Sequence, residues 1–324
     1  MMTVKEVFAL ATKIGVAADP RGQKGVDRYL ERLNKHYNNL STEDKKFFDT
    51  EKLSNPYPDG FVHVDDGHTK VKRVMAGIDV NEGEILLASQ LNERGKKIDL
   101  VIAHHPEGKG KSNLHEVMEM YTDIYVQYGV PVHIAEKLTE DRIKEIGRGI
   151  HPINHFQAIN IAQHLGINFI NTHTITDNLA DKFVREFLNK KAPETVGEIV
   201  QYLLELPEYQ FAKKMGFGPK IIAGAPNHRV GKMILEMTGG TNPSPKVYEQ
   251  FSQFGVSTIV GMHMRDESMK SANECHMNII IAGHMSSDSL GMNLWLDELE
   301  KRGIEIVPCG GLIRVSRVKK SKKN

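Results

Sequence analysis

Three apolar runs in this 324-residue chain end on histidine. Leu100-Val-Ile-Ala is followed by His104-His105. Phe169-Ile-Asn-Thr is followed by His173, with Asp177 four residues on, and Ile279-Ile-Ile-Ala-Gly by His284, with Asp288 four residues on. Neutral imidazole and carboxylate are natural ligands for divalent metals such as zinc, iron, manganese or cobalt. An open catalytic site typically uses about three protein ligands. His104, His105, Asp177, His284 and Asp288 exceed that need, and they suffice for two ions if one carboxylate bridges. His173 lies in the same pattern as a general acid or base, because imidazole titrates near neutral pH. Each residue also has a plainer reading. A strand-end histidine can simply be hydrogen-bonded, and Asp177 and Asp288 can cap the helices expected from residues 178 and 290.

Positioning these groups requires strands whose carboxyl ends share one crevice, as in an open parallel sheet. Residues 71–80 read as a strand, 82–94 as a helix and 97–103 as a second strand, a βαβ unit. Adjacent His104 and His105 would point to opposite faces of a strand, so both reach one site only where the strand has ended. Pro106 favours such an exit. Upstream, Thr3 caps an opening helix, a second begins near Val26, and 39–67 is irregular with a short helix after Ser41. Downstream, helices are expected at 114–128, 139–146, 152–165 and 178–189, with Pro152 at a first helical position. Short strands are expected at 131–135 and 167–172. Pro193 opens a second lobe with helices at 196–204, 230–236, 246–254 and 290–301. Its strands fall at 220–223, 256–261, 277–282 and 304–307. The expected fold class is α/β: an N-terminal lobe 1–190 carrying a helical insertion at about 107–166, a C-terminal lobe 191–324, and the metal site between them.

Other histidines are secondary candidates. His151 and His155 are four apart at an expected helix start, so they share a face and could reach over the site as acid, base or substrate contact. His133 follows an expected strand. Gly224-Ala-Pro-Asn-His-Arg-Val-Gly231-Lys232 lacks Walker spacing and has Met233 where Ser or Thr should hold magnesium. His115-Glu116 lacks the second histidine of a zinc-protease helix. The polar cluster His263, Arg265, Asp266 and Glu267 follows an expected strand and could line the crevice, but reads more naturally as a solvated segment.

Bulk composition removes several classes. With 42 basic and 41 acidic residues the net charge is +1, which gives no electrostatic case for nucleic-acid or membrane binding. The basic segment Val318-Lys-Lys-Ser-Lys-Lys-Asn324 reads as a solvated tail. Two cysteines without ligand spacing fit a reducing compartment. No signal peptide and no run of about 18 apolar residues is visible, so a cytoplasmic protein is expected.

At these motifs the sequence resembles the NGG-interacting-factor-like proteins, dinuclear-metal hexamers often described as GTP cyclohydrolase type 2. The resemblance runs from about Lys72 to Arg317 and rests on His104-His105-Pro106, His173-Thr-Ile-Thr-Asp177 and Gly283-His284-Met-Ser-Ser-Asp288 in that order. It implies His104, His105, Asp177, His284 and Asp288 as metal ligands, Asp288 as the bridge, His173 as a site-lining residue, and a homohexamer. The family usually has Glu where this chain has Asp288, one methylene shorter. The stretch from Pro106 to His173 is longer than in compact members, and the segment around Gly261-Met262-His263 departs from the family pattern. The function expected is metal-assisted hydrolysis of a small molecule, such as a nucleotide or other cyclic amide or phosphoester. The alternative is a metal-binding assembly or sensing module without turnover.

Overall fold

A computed structural model describes residues 1–319. The last five residues, most of the expected basic tail, lie outside the described residues. Nine strands occur among those described: β1 (Gly60–Val64), β2 (Arg73–Gly77), β3 (Leu100–Ala103), β4 (Phe169–Thr172), β5 (Lys220–Ala223), β6 (Lys232–Glu236), β7 (Val256–Gly261), β8 (Asn278–Ile281) and β9 (Glu305–Cys309). They form two mixed sheets flanked by helices, ordered β1-β4-β3-β2-β9 and β5-β8-β7-β6. Strands β3 and β4 are buried along their whole length, as expected of parallel strands covered on both faces. Fully buried Ile102 and Ile170 each contribute about 1.5–3 kcal/mol relative to exposure.

The sheets repeat one plan. Each has an antiparallel edge strand (β1 or β5) beside three parallel strands in reverse chain order, and the first sheet adds β9 as a fourth parallel strand beyond β2. In each, the third parallel strand leads into a long helix that starts on histidine: His173–Lys191 after β4 and His284–Glu300 after β8. The two helices pack on one another closely. At the crossing, a Cβ on Gly291 would overlap the carbonyl oxygen of Thr176 and come 3.3 Å from the Ala180 methyl. Only glycine lets the second helix lie this near the first.

Several expected elements are corrected. The helices after β4 and β8 begin at His173 and His284, so Asp177 and Asp288 sit one turn inside them rather than capping later starts. Residues 131–135, expected as a strand, open the helix Val132–Ile150, whose buried Ala135, Thr139, Arg142 and Ile146 recur at helical spacing. Residues 230–236, expected as a helix, contain β6. A short apolar run such as Met233-Ile-Leu does not distinguish the two by period. The helix expected from Pro152 begins at Gln157, leaving 151–156 as turn and loop. The irregular stretch 39–67 hides β1, which pairs with β4. Residues 305–309, expected in the second lobe, pair in parallel with β2 in the first sheet.

Candidate metal centre

The strands deliver the histidines to one point. After β3 the backbone N–H groups of His104 and His105 still bond to the carbonyls of Gly77 and Ile78, at 2.9 and 3.0 Å. The chain then bends, and the two rings stay 5.1 Å apart instead of diverging. The helix from His173 projects His173 and Asp177, and the helix from His284 projects His284 and Asp288, each pair four residues apart on one face. Gly283 makes the turn into the second helix at φ 117°, where a Cβ would also meet the Ser286 hydroxyl.

Three imidazoles are tied through Nδ1, each to a different acceptor. His104 Nδ1 lies 2.9 Å from the Thr176 hydroxyl. That hydroxyl donates to a main-chain carbonyl of Thr172 at 2.8 Å, so it accepts from an Nδ1–H on His104. His105 Nδ1 donates to Asp79 at 2.7 Å, and His173 Nδ1 donates to buried Asp59 at 2.8 Å. In each ring the Nδ1 proton is fixed by its acceptor, so in the neutral ring Nε2 is the nitrogen that offers a lone pair. Metal-binding histidines show this arrangement, the outer hydrogen bond setting tautomer and orientation.

The Nε2 atoms converge on two carboxylates. His104 Nε2 is 3.4 Å from Asp177 Oδ1 and 3.6 Å from Asp288 Oδ1. On the other side, Asp288 Oδ2 is 3.4 Å from His105 Nε2 and 3.3 Å from His284 Nε2. These separations are too long for good hydrogen bonds. They match the edge of a tetrahedron with ligand bonds of about 2.0–2.2 Å. His104 Nε2, Asp177 Oδ1 and both oxygens of Asp288 are buried without a hydrogen-bond partner. Such orphaned acceptors facing one another call for a cation between them. Three overlapping groups could hold a metal ion: His104–His105–His173, His105–His284–Asp288 and His104–Asp177–Asp288.

The electrostatics agree. Burial pushes the His104 imidazole down to about 4 and the Asp177 carboxyl up to about 8. Burial alone would raise Asp288, but the imidazoles of His104, His105 and His284 facing it hold it well below the usual carboxylate range. His105 is opposed by burial yet raised to about 10 by Asp288 and Asp79. Asp177 pushed up while Asp288 is held down is what two carboxylates sharing one buried site do.

A crevice of about 390 Å³ opens onto this cluster. It is lined by His105, His173, Asp177, His284 and Asp288, while His104 forms the buried floor at 1% exposure. His151 and His155 are not among its lining residues, and neither is His133. His151 and His155 lie in the turn before the Gln157 helix rather than on one helical face. His263, whose cluster reads more naturally as solvated than as crevice-lining, lines the crevice; its Nδ1 meets Asn242 at 3.1 Å and its ring is 4.5 Å from that of His284. The outer partners Asp59, Asp79 and Thr176 were not singled out by sequence. The repeat His-x-x-x-Asp-x-Leu-small at 173–180 and 284–291 could have placed the starts of the two helices, but it contains neither Asp59 nor Asp79.

No family model and no curated protein matches the chain. Among solved structures, a NIF3 superfamily protein from Sphaerobacter thermophilus is similar at 30% identity and a TM-score of 0.69, covering 79% of this chain and 92% of that one. Reduced HcgD from Methanocaldococcus jannaschii matches at 15% identity and a TM-score of 0.48, over 82% and 94% of the two chains. A Bacillus cereus protein related to NIF3 matches at 12% identity and a TM-score of 0.44, over 99% and 98%. Neither of the last two bears on function. The first, at 30% identity over most of both chains, places the protein: it belongs to the NIF3 superfamily.

Proposed function

We propose that this protein is a dinuclear-metal-dependent hydrolase acting on a small molecule. The observation that carries the reading is Asp288. It is a buried carboxylate whose two unpartnered oxygens face different ligand groups, one towards His104 and Asp177, the other towards His105 and His284. A carboxylate so placed suits a bridge between two ions. His104, Asp177 and Asp288 would hold one, and His105, His284 and Asp288 the other. Bound divalent ions would polarise a substrate oxygen and make nearby water more acidic. The imidazole and carboxylate donor set suits zinc, iron(II), manganese or cobalt.

His173 is the acid–base candidate. Asp59 fixes its Nδ1–H, leaving Nε2 on the crevice side as proton acceptor. A crevice of about 390 Å³ fits a compact substrate, a nucleotide fragment or other cyclic amide or phosphoester by family likeness. Its volume favours turnover over a closed structural metal site. No helix among the described residues is long and apolar enough to cross a membrane. A homo-oligomer, hexameric in the family pattern, and a cytoplasmic location complete the reading.

The test is metal content per chain by mass spectrometry, on protein purified without chelator. We expect about two equivalents, falling sharply in His105→Ala and Asp288→Ala while far-UV circular dichroism is retained. Substoichiometric metal that neither substitution alters would overturn the assignment.

A further inference from the structure

The crevice continues past the metal cluster to a second wall. There β6 ends on Glu236, at the carboxyl end of a parallel strand, where ligand contacts gather. The neighbouring lining includes Tyr121, Met237, Thr238, Pro243 and Met262.

Five carboxylates line the crevice, and four have a cationic or imidazole partner. Asp79 takes His105 at 2.7 Å and Glu107 takes Lys111 at 3.1 Å. Asp177 faces His104 at 3.4 Å, and Asp288 faces His104, His105 and His284 at 3.3–3.6 Å. Glu236 differs. Its Oε2 accepts from the neutral Tyr248 hydroxyl at 3.0 Å, and its Oε1 is buried with no hydrogen-bond partner. Lys111 is the sole lysine or arginine lining the crevice among the described residues, and Glu107 already engages it. Among the described residues no donor reaches this oxygen. A buried carboxylate oxygen left unmet costs free energy, and a ligand that brings N–H groups removes that cost on binding.

We infer that Glu236 is a substrate-recognition residue which accepts hydrogen bonds from an amidine- or ammonium-type N–H group of the molecule held at the metal centre. The inference rests on the proposed hydrolase reading for the word substrate, but not for the contact itself. An N–H donor answers the oxygen better than an anion, because the wall already carries negative charge. An amidine edge offers parallel N–H donors on a flat frame, which suits a carboxylate and the apolar faces of Tyr121, Met237 and Met262. Burial also pushes the Glu236 carboxyl up to about 7, a penalty that a cationic or N–H-rich partner would relieve.

The probe is benzamidinium, titrated calorimetrically into the metal-loaded full chain, with neutral benzamide as control. Wild type should bind benzamidinium saturably and prefer it to benzamide. Glu236→Gln keeps the side-chain size and the bond from Tyr248, and should weaken benzamidinium by roughly tenfold or more while leaving benzamide unchanged. His105→Ala, which tests the metal assignment, should lose metal yet keep the benzamidinium contact, so the two readings fail separately. Equal affinity in wild type and Glu236→Gln would overturn the inference. So would the absence of saturable binding to folded, metal-loaded wild type.

Discussion

Thr176 does not touch a metal in the proposed arrangement, yet its hydroxyl decides which nitrogen of His104 can. The hydroxyl sends its proton to Thr172 and so accepts the His104 Nδ1–H, leaving Nε2 bare. Thr176→Val keeps the β-branched shape on the helix and removes the acceptor. His104, at 1% exposure, then has two choices. It can keep Nδ1–H unsatisfied, at about 1–3 kcal/mol, or move the proton to Nε2. In metal-free protein the second choice is the cheaper, because Nε2–H would face the Asp177 and Asp288 carboxylates, whose charge attracts it across separations of 3.4 and 3.6 Å that are long for hydrogen bonds. With metal bound it is forbidden, because Nε2 must donate its lone pair. The substitution should therefore change metal-free stability by less than about 1 kcal/mol while lowering metal affinity about 10- to 100-fold. Competition of zinc between the protein and a chromophoric chelator measures the affinity, and thermal denaturation with and without zinc measures the linkage. Unchanged affinity would refute the tautomer argument. An equal loss of stability with and without zinc would reduce Thr176 to a packing residue.

Gly291→Ala should separate the two ligand-bearing helices, because its methyl overlaps the Thr176 carbonyl; we expect about 1–3 kcal/mol of destabilisation by denaturant titration together with loss of bound metal. A destabilised variant that still binds stoichiometric metal would show that helix spacing does not set the ligand geometry. Glu236 has a folded-state pKa raised above its unfolded value, so its contribution is present below about pH 4.5 and lost as pH rises through about 7. Its share of the slope cannot exceed about 1.4 kcal/mol per pH unit, the limit for one proton. Glu236→Gln should flatten the stability profile across that window, and an unchanged slope in denaturant titrations from pH 4 to 8 would contradict the burial of this group. Adding metal at about 100 times its Kd to chelator-stripped protein should raise stability by about 2.7 kcal/mol for each ion site filled, visible as an upward shift in Tm that His105→Ala diminishes.

Sequence made much of this legible because apolar strands announce themselves by composition, and the histidines directly after them mark their carboxyl ends. The runs before His104, His173 and His284 needed only the rule that parallel strands deliver their ends to one crevice. Helix starts were harder. Asn178 and Leu290 open obvious amphipathic stretches, while His173-Thr-Ile-Thr and His284-Met-Ser-Ser contain β-branched and hydroxyl residues of modest helix propensity; tertiary packing carries those first turns. The outer partners were out of reach for another reason. Asp59 precedes an edge strand inside a polar, proline-bearing stretch, and Asp79 and Thr176 look like ordinary turn and helix residues. What distinguishes them is a contact across 114, 26 and 72 residues of sequence respectively, which no local pattern encodes. Glu236 was missed because β6 reads equally well as a helix, and His263, which follows the correctly placed β7, reads as solvated because a polar cluster after a strand carries no sign of which way it faces.

Strand β9 bears on the order of assembly. It lies against β2 across 232 residues of chain, and its partner strand has long left the ribosome when residues 305–309 appear. Until then β2 presents an open, apolar parallel edge, the kind of surface on which strands of other molecules add. Asp288 arrives almost as late, so the cluster cannot gather its ligands while most of the chain is being made. Under the proposed metal-binding reading, metal capture is thereby tied to the closing of the first sheet, and a nascent chain short of both is exposed to misassembly in a way the finished protein is not.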